Sequence, residues 1–177
     1  LKNRDSNFII NSGRYGFYRV QYDANSLAQL ELLIDEKILN HVDRWSLQND
    51  LFSQCVSGTK QIQEYLDFTT SYHDEDNYIT LQNLAQNLYH LYKLTRKEKF
   101  SDEIRTYTAQ FLGTIFDRLG WDSQKNEKHT DALLRSFVIT ALGKLGDKEI
   151  LSEANKRFNK FLKNKNSLAA DLQEPVF

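Results

Sequence analysis

The 177-residue sequence contains no methionine, a single cysteine, a single proline and only seven glycines. Each scarcity removes an explanation. One cysteine, Cys55, excludes an internal disulfide framework, and no histidine is spaced to form a local zinc clamp with it. Because the sole proline is Pro175, no earlier helix is interrupted by that residue. The few glycines form neither a GxxxxGK phosphate loop nor a glycine-rich dinucleotide turn after a strand. No apolar run approaches membrane-spanning length. Charge of one sign is also lacking: 23 basic residues against 24 acidic ones leave a formal charge of −1. That balance favours no polyanion, so no nucleic-acid partner and no membrane partner is expected. The four histidines, His41, His73, His90 and His129, include no HExxH pattern. No catalytic residue and no metal ligand is therefore assigned. His90 reads as a partly buried helix residue, His129 as a residue near a helix cap, and Cys55 as core.

Two short segments near the start read as strands. Tyr18, Val20 and Tyr22 alternate with Phe17, Arg19 and Gln21 across residues 16–22, and residues 8–10 form a shorter candidate. Asn11, Ser12 and Gly13 between them are turn formers. Two strands make only a marginal sheet. They are expected to complete a sheet whose other strands lie elsewhere; a small hairpin packed on the helices is the alternative.

From Asp23 onward the apolar spacing is helical. Leu27, Leu30, Leu33, Ile34 and Ile38 share one face, and Asp43 is expected to cap the next helix, with Leu47, Leu51, Phe52, Cys55 and Val56 on one side. Gly58 stops it and Thr59 starts a third. The stretch HDEDNY reads as a loop, with helices opening at Thr80 and Ser101. WDSQKNEKH is a connector. The pattern resumes at Thr130, is loosened or ended by Gly143 and Gly146, and restarts behind a cap at Asp147, with Leu151, Ala154, Phe158 and Phe161 inward. About seven helices with short connections suggest antiparallel pairs, stacked as an irregular solenoid or gathered into a compact bundle.

Three charged features stand out. KRFNKFLKNKN at 156–166 is basic over an aromatic backing, which reads as a solvated helix face and, in a competing reading, as a lipid- or nucleic-acid-binding surface. Arg135, beside Leu134 on an inner-facing segment, needs an anionic partner. The structural reading pairs it with an acid such as Asp50 or Asp131; the functional one sets it in a cavity to meet a peptide carboxylate. Arg44 and Asp50 are too far round one helix to pair directly, so Asp50 is expected to cap or pair across to a neighbouring helix.

The ordered set of motifs resembles one family. GFYRVQYD at 16–23 resembles the hallmark near the end of the small β-domain of zinc aminopeptidases of the aminopeptidase N family. DRWSLQNDLFSQCVSG at 43–58 looks like the segment entering that family's C-terminal helical domain. LGWD at 119–122, DALLRSFV at 131–138, LGDKEILSEANKRF at 145–158 and SLAADLQEPVF at 167–177 continue the match. The cytosolic puromycin-sensitive branch and the archaeal tricorn-interacting aminopeptidases are the most similar patterns. The residues that carry the motifs are Gly16, Tyr18, Arg19, Tyr22, Asp23, Asp43, Arg44 and Asp50.

The resemblance implies a mainly α fold: an irregular HEAT-like or armadillo-like superhelix over residues 24–177, preceded over residues 1–22 by the last strands of a small β-sandwich. It implies a fragment of a cytoplasmic zinc aminopeptidase that removes N-terminal residues from peptides. This part would supply the wall of the substrate cavity, with Arg135 as its candidate substrate contact. The zinc, its ligands and the catalytic tyrosine would belong to an upstream catalytic domain, which with the β-sandwich and the peptide substrates makes up the expected partners. No cofactor is expected in these residues. A noncatalytic helical-repeat interaction module is the alternative.

Overall fold

The computed structural model describes residues 8–177, so the first seven residues of the expected strand segment lie outside it. The chain divides into two compact units, residues 1–87 and residues 88–177.

In the first unit, α1 (Ala24–Asp35) starts where the Asp23 side chain accepts the Ser26 N–H at 2.7 Å and buries Leu27, Leu30 and Ile34. Helix α2 (His41–Val56) is capped by Asn40, whose side chain accepts the Asp43 N–H at 3.0 Å. The cap expected at Asp43 is therefore corrected: Asp43 lies inside the first turn of the helix, and its carboxylate accepts from the Asn40 side chain at 2.6 Å. Gly58, at φ +76°, carries the chain out of α2. The start expected at Thr59 shifts to Gln61, because the Thr59 and Lys60 amides still bond back to the Gln54 carbonyl. Gln61 and Glu64 form a capping box for α3 (Ile62–Thr69), which buries Tyr65, Leu66, Phe68 and Thr69. A 3-10 turn (Thr70–Tyr72) leads to the loop before α4 (Tyr78–Thr95). That helix opens two residues before the expected Thr80, since Asn77 accepts the Ile79 N–H at 3.1 Å.

In the second unit, α5 (Ser101–Leu119) buries Ile104, Thr108, Leu112, Ile115 and Leu119, and packs on α6 (His129–Leu145). Gly146, at φ +87°, ends α6, and Asp147 then accepts the Glu149 and Ile150 N–H groups at the start of α7 (Lys148–Lys163). Only Ile150 of α7 is fully buried. Leu151, expected inward, is half exposed, and Ala154, Phe158 and Phe161 are partly covered. The short α8 (Gln173–Val176) lies against α6 and α7, and Phe177 packs on Phe158 and Phe161 with ring centroids 5.8 and 5.0 Å apart. The fold is mainly α, an irregular packing of helices.

No strand forms among the described residues, so the candidate strands at 8–10 and 16–22 are unpaired here. An extended segment becomes a strand only when its backbone groups enter a ladder. Here the Val20 N–H goes to the Asp50 carboxylate, and the Gly16 N–H and C=O go to the Asn11 side chain. Residues 12–14 form a 3-10 turn.

Candidate functional site

Helix α2 carries the densest set of buried polar side chains. Its apolar stripe, Leu47, Leu51 and Cys55, packs into the first unit, while Asp43, Arg44, Gln48 and Asp50 are buried with it. Buried charges persist only when paired or well hydrogen-bonded: Arg44 and Asp50 are in ion pairs, and Asp43 accepts three hydrogen bonds.

Arg44 forms a two-pronged pair with Glu75: Nε to Oε2 at 2.6 Å and Nη2 to Oε1 at 2.8 Å. Its Nη1 donates to the Leu39 carbonyl. The Glu75 carboxylate holds the Arg44 pKa above its ordinary value, against the opposing effect of burial. Glu75 also accepts the Asp76 and Asn77 N–H groups, so one carboxylate shapes the loop ahead of α4. Beside this pair, the fully buried Gln48 amide donates to Trp45 O and Asn83 Oδ1 and accepts from the Tyr65 hydroxyl and Asn87. All four of its hydrogen-bonding sites are used.

Asp43 and Asp50 face the segment before α1. Asp43 accepts from Ser12 Oγ at 2.8 Å, from the Gly13 N–H at 2.6 Å and from Asn40. Asp50 accepts from Arg14 Nη1 at 2.8 Å, Arg19 Nη1 at 3.4 Å and the Val20 N–H at 2.9 Å. The expectation of a partner on a neighbouring helix is corrected: the partners, Arg14, Arg19 and Val20, lie in the segment before α1. Tyr22 is buried, its hydroxyl accepting the Ile10 N–H at 2.8 Å, whereas Tyr18 is exposed.

In the second unit Arg135 is 1% exposed and paired with Glu127, through Nη1 at 2.8 Å and a close Nη2 contact. Its Nε donates to Gly120 O at 3.1 Å and its Nη2 to Leu119 O at 3.2 Å. The pair holds the Glu127 carboxyl below its usual range and the Arg135 guanidinium above its own. The structural partner is thus Glu127, not Asp50 or Asp131; the latter lies one helical turn back, and Glu127 reaches the guanidinium from the loop. Arg157 anchors the other end of that loop. It grips Asp122 at 2.6 and 2.8 Å, bonds Glu153 at 3.0 Å and stacks on Trp121 at 4.8 Å. Arg157, the one arginine of the basic 156–166 stretch, is thereby spent within the fold, and Lys156 remains in solvent.

Sequence reasoning missed Glu75, Glu127 and Asp122. All three lie in polar connectors, where no periodicity points at a partner; the only signal was the density of acids in HDEDN and WDSQKNE. A groove of 630 Å³ in the second unit is lined by Phe116, Asp117, Trp121, Leu142, Asp147 and Glu153 among others. It brings together none of the site residues expected from sequence. Among the described residues no three His, Cys, Asp or Glu side chains are placed to hold a metal ion. His90 is exposed rather than partly buried, and His73 sits in solvent between Asp35 and Asp74. Cys55 is buried, its thiol donating to Gln61 O, and burial pushes its pKa up to about 11.

Residues 7–177 match the family described as the ERAP1-like C-terminal domain. The chain belongs to that family. This ERAP1-like C-terminal domain is similar to Aminopeptidase M1-A of Oryza sativa subsp. japonica, 29% identical over 180 residues that cover 99% of the chain and 20% of the relative. It is similar to Aminopeptidase M1 of Arabidopsis thaliana, 32% identical over 95% of the chain and 20% of the relative. Tricorn protease-interacting factor F2 of Thermoplasma acidophilum is 29% identical over 78% of the chain and 17% of its own length. The domain spans about one fifth of the length of the curated relatives it matches. No helix among its described residues is long and apolar enough to cross a membrane.

Proposed function

We propose that this domain is the C-terminal helical portion of a zinc-dependent aminopeptidase that removes N-terminal residues from peptides, and that it forms part of the wall of the substrate cavity. The observation that carries this reading is the match over residues 7–177, together with near full-length similarity to proteins named aminopeptidases that are several times longer. The absence of HExxH from the sequence and of a metal-holding cluster among the described residues supports a catalytic centre in another part of the same enzyme. Among the described residues no donor set fits zinc, and no step of the reaction is assigned to this domain.

In the same reading, residues 24–177 belong to an irregular helical superhelix and residues 1–22 are the last strands of a small β-sandwich. Exposed Phe8, Tyr15, Phe17 and Tyr18 support a covering partner for those strands. The catalytic domain, the sandwich and peptide substrates are the partners, and the compartment is the cytoplasm.

Metal analysis and an aminoacyl-amide assay test the proposal. The isolated domain is expected to bind no stoichiometric zinc and to turn over no substrate. Turnover is expected when the catalytic portion is supplied. Stoichiometric zinc and turnover in the isolated domain would overturn it.

Arg135 enters this reading as the candidate contact for a peptide carboxylate, which would have to exchange with Glu127 on the guanidinium. Comparing peptide acids with amides in the complete enzyme and in its Arg135→Gln variant decides the role. A lost preference for acids is expected, and identical preferences in the two proteins remove Arg135 from substrate recognition.

A further inference from the structure

The segment from Ile10 to Tyr22 is a closed loop with its own internal bonds. The Tyr22 hydroxyl joins its ends by accepting the Ile10 N–H at 2.8 Å. Asn11 fastens its middle, accepting the Gly16 N–H at 2.7 Å and donating to Gly16 O at 2.9 Å. Gly16 has no room for a side chain there, since a Cβ would collide with the Tyr18 ring and Asn11 Oδ1. A compact loop with adjacent ends and internal bonds keeps its shape independently of what it lies against.

What fastens the loop to α2 is a different set of bonds, nearly all polar. Asp43 and Asp50 are seven residues apart, two turns of helix, and so lie on one stripe of α2 about 10 Å from each other. Asp43 holds Ser12 and Gly13; Asp50 holds Arg14, Arg19 and the Val20 N–H. Between the two carboxylates, Arg14 donates to Ser46 and stacks on Trp45 at 5.3 Å. Arg14 itself has a left-handed backbone, at φ 56°, an unfavourable conformation for a non-glycine residue that persists only when its surroundings hold it. Apolar burial contributes only at the base, through Val20 and Tyr22; Tyr15 and Phe17 at the tip lie in solvent.

We infer that Asp43 and Asp50 are the two carboxylate points of a polar latch, assisted by Arg19 donating to Asn49 O at 3.0 Å and Gln54 donating to Val20 O at 2.8 Å, and that the loop of residues 10–22 lifts from α2 as a preformed unit, hinged at Tyr22, while the helices stay folded. The sequence positions of the latch follow from its mechanics. Two acceptors on one helical stripe keep the loop from sliding along α2 and from swivelling about a single bond. With few apolar contacts to lose, the loop opens at a free energy below that of global unfolding.

Amide hydrogen exchange on the full chain tests the latch. In the unmodified protein the Gly13 and Val20 amides, held by different carboxylates, are expected to share one protection factor, lower than those of Leu47 and Leu51 in α2. In the Asp43→Asn/Asp50→Asn double variant both are expected to lose protection by about tenfold or more, a factor within reach of charged hydrogen bonds of ordinary strength. Gly16, held from within the loop, keeps its protection, as do Leu47 and Leu51. Gly13 and Val20 protected to different extents, or as strongly as α2, in the unmodified protein overturn the inference whether or not the variant folds. Unchanged protection at Gly13 and Val20 in the double variant also overturns it, as does a joint loss at Gly16 or across α2.

Discussion

The fate of each charged side chain was decided by what it could reach. Arg135 and Glu127 form a buried pair in which removal of one partner strands the other. Arg135→Gln is expected to destabilise the chain by about 3–5 kcal/mol in a denaturant titration. Glu127→Gln bears on pH. The native Glu127 carboxyl titrates below its unfolded value, so its stabilisation is fully present above the unfolded pKa, about 4.3, and is lost as pH falls through the native one. The variant is therefore expected to lose less stability between about pH 5 and pH 2 than the unmodified chain, measured as the change in unfolding midpoint. Cys55 supplies a second residue-scale test. With its thiol pKa raised to about 11 and its side chain buried, it is expected to resist iodoacetamide at pH 8 in the folded chain and to react promptly in denaturant. Prompt modification of the folded chain would show that Cys55 is open to solvent.

At the scale of elements, boundaries follow short-range backbone chemistry. The cap expected at Asp147 is in place, as is the Asp23 cap of α1, because an Asp there needs only the amides two or three residues on. Gly146 and Gly113 make a paired prediction of opposite sign. Neither would meet another atom within 4 Å on gaining a Cβ, so backbone conformation alone decides the outcome. Gly146, at φ +87°, ends α6, and Gly146→Ala is expected to cost about 1 kcal/mol. Gly113 is inside α5, and Gly113→Ala is expected to gain about 0.5–1 kcal/mol. Thermal unfolding midpoints moving the same way in both variants would contradict this account. The misplaced caps are also instructive. Asp43 was a reasonable cap by residue type, but Asn40 took the position, leaving the carboxylate free to hold Ser12 and Gly13.

For the whole molecule, the helical periodicity from residue 24 onward announced a mainly α fold, and the ordered motifs announced the family. Neither indicated that the polar connectors carry as much of the architecture as the apolar stripes. The connector at 120–128 is held at one end by Arg157 on Asp122 and at the other by Arg135 on Glu127. Glu75 does the same work for the loop before α4. The expected carboxylate role of Arg135 rests on the complete enzyme and belongs to the acid-versus-amide comparison.

The sequence by itself determined what is local. Apolar residues at helical spacing, an Asp before a helix and a Gly after one act through bonds spanning two to four residues, so their consequences can be read from order alone. The tertiary structure decided what is nonlocal. That Asp50 meets Arg14 rather than a neighbouring helix, that Arg135 meets Glu127, and that residues 16–22 lie on α2 unpaired all depend on groups 8 to 36 positions apart. Spacing along the chain specifies no such partner, because a buried charge takes whichever opposite charge the packing brings within hydrogen-bonding distance.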